Sequence, residues 1–134
     1  LAAALLHATP SRLVRDTQTL GMLFESLVLR DLRVFLSTYP GFDNGVYYYR
    51  DDKGLEVDAI IEHEGRWAGI EVKLSDAKVD EGARSLTRLR DKISSNAAAR
   101  NADPAFLAVV VGKGSLAYTR DDGVMVIPAA LLGA

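Results

Sequence analysis

The stretch LEVDAIIEHEGRWAGIEVKL, Leu55 to Leu74, constrains the fold more than any other, because its strand pairing can be worked out residue by residue. A tight turn at Glu64-Gly65 sets His63 across from Arg66. Counting outward, one face pairs Leu55 with Leu74, Val57 with Val72, Ala59 with Ile70 and Ile61 with Ala68, all apolar. The other face sets Glu56 across from Lys73, Asp58 across from Glu71 and Ile60 across from Gly69. A slip of one residue would mix the two faces, so this register is strongly specified. It leaves two carboxylates side by side, about 5 Å apart at Cβ, where facing like charges destabilise a sheet. A positive group is expected between them. Lys73 is already shared with Glu56, and a divalent cation would complete the neutralisation.

The rest of the composition narrows what that cation could be. With 134 residues the chain makes one domain large enough to bury a core. It has no cysteine, which excludes disulfide scaffolds, thiolate zinc sites and a cysteine nucleophile, and fits a reducing, cytoplasmic setting. Two histidines, His7 and His63, are too few for a histidine-rich metal site. A bound metal would therefore have oxygen ligands, favouring magnesium, manganese or calcium. No apolar run approaches the roughly 18 residues of a membrane span, and no membrane partner is expected. A net charge of −2 argues against a strongly cationic nucleic-acid coat but leaves room for a local basic face.

Residues 1–18 read as a helical lead-in, LAAALLHA followed by Thr9-Pro10 and SRLVRD. Opening on Leu and directly into a helix-like run, the chain reads as a piece of a longer protein. A main helix is expected from Thr19 to about Tyr39, ended by Pro40-Gly41 and Asp43-Asn44-Gly45. Val46–Arg50 is a β-branched and aromatic strand, and Asp51-Asp52-Lys53-Gly54 turns it into the hairpin. Residues 76–93 form a second helix, with Val79, Ala83, Leu86, Leu89 and Ile93 on one face. AFLAVVVG, 105–112, has the continuous apolar character of a strand covered on both sides. A final hairpin turns at Asp121-Asp122-Gly123. The expectation is an α/β fold: helix, three-strand antiparallel meander, helix, strand, hairpin, with helices flanking a mixed sheet.

Several residues could carry chemistry. On the first helix, Leu20, Leu23, Phe24, Leu27, Val28, Leu32, Val34, Phe35 and Leu36 cover most of the wheel. Glu25 and Asp31 fall within that apolar arc, and a buried carboxylate needs a partner or a role. Gly21, one turn before Glu25, would let a strand or ligand approach. On the hairpin, Glu71 and Lys73 share a face with Asp58. Two readings stand: a solvated sheet face with Glu56 and Lys73 as a cross-strand pair, or two carboxylates bracketing a metal beside a lysine, as phosphoryl transfer needs. The second helix carries Arg84 and Arg88 outward, with Lys78, Arg90 and Lys92 nearby. They read either as phosphate contacts or, with Glu81 and Asp91 interleaved, as a solvated face with local ion pairs. Trp67 and the Tyr47–Tyr49 cluster read as core or sheet-face packing.

A helix glutamate, then an aspartate on a strand, then Glu-x-Lys on the adjacent strand resembles the PD-(D/E)xK nuclease superfamily, with its restriction-endonuclease-like fold. The resemblance implies that Asp58 and Glu71 hold magnesium or manganese, with Lys73 as the active-site lysine. Glu25 matches the extra acidic residue that some members carry on the first helix, where it would support the metal site or provide a second ligand. Val57 stands where a proline is common. The strings TLGMLFESLVLRDLRVF, YYYRDDKGLEVDAIIE, RWAGIEVKL and AYTRDDGVMVIP resemble the C-terminal domain of a prokaryotic family of predicted AAA-type ATPases. That resemblance covers nearly the whole chain and makes residues 19–134 the nuclease-like domain, with an ATPase module upstream as its partner.

It implies two functions: metal-dependent cleavage of nucleic acid, or an inactive nuclease fold that binds DNA or a protein for the ATPase. ATP binding would belong to the upstream module. Gly112-Lys113-Gly114-Ser115 follows a strand, but Leu107 occupies the position of the first glycine of a phosphate-binding loop. Gly114 also stands where that loop needs Ser or Thr, so no ATP site is expected in this fragment.

Overall fold

A computed structural model describes residues 17–38, 45–99, 102–114 and 116–132. Residues 1–16 of the expected helical lead-in, the Pro40–Asn44 turn and Ser115 lie outside these residues.

The elements follow the expected order. Helix α1 spans Thr17–Ser37, β1 Val46–Arg50, β2 Glu56–His63 and β3 Arg66–Lys73. A 3-10 turn at Asp76–Lys78 runs into α2, Val79–Ser94. Strands β4, Phe106–Val111, β5, Tyr118–Thr119, and β6, Met125–Pro128, complete one six-stranded sheet in the order β1-β2-β3-β4-β6-β5. Pairing is parallel at β3/β4 and β4/β6 and antiparallel elsewhere. The chain ends, within the described residues, on a short 3-10 turn at Ala129–Leu131.

The sheet is covered on both faces. Val28 and Leu36 of α1 pack with Ala59, Ile61, Ala68, Ile70, Val72 and Val110. On the opposite face Val79, Ala83, Leu86 and Leu89 of α2 pack with Leu55, Val57, Trp67, Leu107 and Val109. Strands β3 and β4 are consequently buried almost end to end, Trp67–Val72 and Leu107–Val111. β4 has the double covering that its unbroken apolar run requires. Among the described residues no helix is long and apolar enough to cross a membrane.

Three details depart from the sequence-based expectation. Leu55 and Val57 were assigned to the same apolar face as Ala59 and Ile61, but they pack under α2 while Ala59 and Ile61 pack under α1. The cause is an extra residue in β2: Tyr47 pairs with Ile60 and Tyr49 with Val57, so two steps on β1 span three on β2. Such a bulge reverses the alternation and re-aims the residue it contains. Second, Val34, Phe35 and Asp31 lie on the exposed side of α1, because the helix buries a narrower stripe than its apolar content suggests. Third, β1 is a sheet edge. Tyr47 and Tyr48 are exposed, and only Tyr49 turns inward, its ring 5.9 Å from the Lys92 ammonium.

The β1–β2 turn is held by Asp51. Its carboxylate accepts from the backbone N–H groups of Lys53 at 2.9 Å and Leu55 at 3.0 Å, and from Lys92 Nζ at 2.6 Å. The Lys92 bond, with the two backbone donors, holds this carboxyl down at about 2. The folded value lies below the ordinary 3.8, so the contribution is complete above 3.8 and is lost as pH falls through about 2. Asp51→Asn is therefore expected to lower the melting temperature at pH 7, with the gap to wild type closing near pH 2. A gap constant across that range in thermal melts followed by circular dichroism would contradict this.

Candidate functional site

The bulge in β2 contains Asp58. The β2–β3 ladder runs in the expected register from His63↔Arg66 to Ala59↔Ile70. Beyond it the Asp58 side chain takes over the bonding, its Oδ2 accepting from the Val72 backbone N–H at 2.8 Å. A side-chain acceptor that replaces a ladder carbonyl fixes its own position, so the carboxylate is anchored on β3 next to Glu71.

Glu71 is the one charged residue of the described core, only 3% exposed. It sits on the α2 side of β3, its Cβ close to Gly82. Burial drives its carboxyl up to about 9, and the neighbouring Asp58 charge and a side-chain hydrogen bond with Asp58 add to the shift. Lys73 acts in the opposite direction but does not prevail. A buried carboxyl facing a second carboxyl cannot ionise easily, so the pair retains a proton at neutral pH.

Lys73 ends β3 with its Nζ 3.9 Å from Glu71 Oε2. Glu25 enters from α1. Its carboxyl is pushed upward first by burial and then by Asp58, with which it shares a side-chain hydrogen bond, while Lys73 lowers it. Among the described residues nothing lies within 4 Å of a Cβ built on Gly21, so the helix is open one turn before Glu25. The fold thus brings together all four residues singled out in the sequence: Glu25, Asp58, Glu71 and Lys73.

The expected cross-strand pair of Glu56 with Lys73 is not formed. Glu56 lies 3.6 Å from Arg50 instead, and Lys73 turns to Glu81 of α2 at 3.5 Å. Glu81 is the site residue that sequence reasoning assigned to a solvated helix face. Lys73 and then Lys78 hold its carboxyl below the ordinary value. The only sequence signal for this contact was Gly82 beside it, a small residue inside an otherwise good helix.

Among the described residues no group of three or more acidic or imidazole side chains is disposed to hold a metal ion. The donor chemistry nevertheless fits a hard cation: two adjacent carboxyls, one anchored and one buried. Magnesium commonly takes only one or two protein carboxylates and completes its shell with water and phosphate oxygens. Asp58 and Glu71 are the residues that would hold such an ion, with Glu25 adjoining Asp58.

A concave region lies at the far end of the hairpin, lined by Ile61, His63, Arg66, Trp67 and Phe106 among others. There Trp67 Nε1 donates to the Ala102 carbonyl at 2.9 Å. It contains none of the four site residues.

A protein-family model described as a domain of unknown function, DUF4143, matches residues 20–132. That is most of the chain, and the chain belongs to that family. No curated protein and no solved structure matches it.

Proposed function

We propose that this DUF4143 domain hydrolyses phosphodiester bonds of nucleic acid with magnesium or manganese held by Asp58 and Glu71, a centre of the PD-(D/E)xK kind. The observation that supports it most is the bulge that anchors Asp58 on the Val72 N–H beside the buried Glu71, with Lys73 two residues on. A buried carboxyl such as Glu71 beside a second carboxyl opposes folding, and a strongly shifted group of this kind marks a candidate functional site. When bound, the ion would polarise a phosphate oxygen and acidify a water. Asp58 and Glu71 supply its protein oxygens, and Glu25 orients Asp58 from the helix side. Lys73 stands at the edge of the pair, where its charge offsets negative charge developing on the phosphate. The resemblance to the C-terminal domain of AAA-type ATPases extends the proposal: an upstream ATPase module acts with this domain and supplies nucleotide binding.

The test is cleavage of DNA and RNA with magnesium or manganese by wild type, Asp58→Ala and Lys73→Ala. Each substitution is expected to lower the rate by about 100-fold or more, the usual scale for a positioned catalytic group. Equal rates in all three proteins would overturn the proposal. A second reading, a nuclease-fold module that binds DNA or a partner protein without cutting, draws on the lack of a three-residue cage among the described residues. Gel-shift binding without cleavage would favour it.

A further inference from the structure

We infer that Glu81 positions the Lys73 ammonium at the mouth of the carboxyl pair, so that helix α2, and not strand β3 alone, decides where this lysine stands. The inference rests on the reading of Asp58, Glu71 and Lys73 as the reacting centre.

Lys73 is the last residue of β3, and a lysine side chain is a flexible stem with no preferred direction of its own. Its Nζ lies 3.5 Å from Glu81 Oε1 and 3.9 Å from Glu71 Oε2. The second oxygen of Glu81 is 3.5 Å from Lys78 Nζ, so its carboxylate is gripped from two sides. Gly82 is what lets the helix come this close. A Cβ there would stand 3.2 Å from Val109 Cγ2 and 3.4 Å from Glu71 Cβ. The residue adjoining this close approach of helix to strand is the one that carries the carboxylate.

The arrangement draws Lys73 partly away from Glu71. Without Glu81 the ammonium would settle on Glu71 and compete with any cation held by the pair. With Glu81 it is shared, and remains able to meet a phosphate oxygen. With the Glu81 side chain 55% exposed the pair is largely screened and contributes little to stability, so its effect is on where the lysine stands.

The experiment is side-chain nitrogen NMR of the lysine ammonium groups, with the Lys73 signal assigned from the Lys73→Arg protein. In wild type the Lys73 ammonium is expected to be ordered. In Glu81→Gln that order is lost, in Glu81→Asp it is partly kept, and the melting temperature stays near wild type in both. In cleavage assays Glu81→Gln is expected to lower kcat by up to about 100-fold, the scale of a misplaced group, at unchanged KM. An ammonium equally mobile in wild type and Glu81→Gln overturns the inference, as does a kinetic change confined to KM. Loss of ordering in Glu81→Gln, together with a wild-type protein that cuts no nucleic acid, would sink the nuclease reading and leave the positioning intact.

Discussion

Glu71→Gln is expected to end metal-dependent cleavage and, at the same time, to make the protein more stable at alkaline pH. The folded value of about 9 lies far above the ordinary 4.5. For an acid raised in this way, the stabilising contribution is complete below 4.5 and is lost as pH rises through about 9. In that window the unfolded chain releases the proton and the folded one retains it, so wild-type stability falls by up to about 1.4 kcal/mol per pH unit from this group. The accumulated loss is on the order of several kcal/mol, a large share of the roughly 5–15 kcal/mol of a typical domain. Glutamine keeps the shape and cannot ionise, so the slope should vanish and the variant should exceed wild type most near pH 9. Urea unfolding at pH 5, 7 and 9 checks this, and parallel slopes for the two proteins would refute it. Added magnesium sharpens the test. An ion bound only to the folded state stabilises it by RT ln(1 + c/Kd), where c is the free ion concentration, so wild type should gain and Glu71→Gln should not.

Leu86→Ala is expected to cost about 2–5 kcal/mol, the range for truncating a fully enclosed leucine. Leu86 is completely buried at the centre of the α2 face, and its Cδ2 would lie 3.0 Å from a Cβ added to Gly69 of β3. The strand and helix are already in close contact there, so neighbouring atoms have little freedom to move in and fill the space. Because this packing seats α2 on β3, the same substitution should loosen the Glu81–Lys73 contact next to it. Denaturant unfolding measures the loss. A change below about 1 kcal/mol, small for a core truncation, would mean that α2 is held by something other than this contact.

These predictions depend on features that differ in how readable they were. The pairing of Ala59–His63 with Arg66–Ile70 was written in the alternation and the Glu64-Gly65 turn, and the structure keeps it. The α2 core stripe of Val79, Ala83, Leu86 and Leu89 was equally legible from its helical spacing. Asp58 and Glu71 could be singled out because like charges facing across a hairpin are unfavourable, Lys73 because it shares their face, and Glu25 because a carboxylate is costly among apolar residues. Other features carried no such mark. Val34 and Phe35 stand on the exposed side of α1 beside Arg30, Asp31 and Arg33. Their apolar character gave no sign that they would be left out of the buried stripe.

The sequence by itself determined the order of elements, the hairpin register away from its open end, and the short list of residues able to do chemistry. Local spacing encodes side and period, and those follow from backbone geometry alone. The tertiary structure decided the rest. It put an extra residue at Asp58 by pairing β2 with β1, covered the supposedly wet face of the hairpin with α2, and gave Lys73 to Glu81 in place of Glu56. Each of these depends on a neighbour distant in sequence. Which neighbour arrives is settled by the packing of the whole sheet between its two helices.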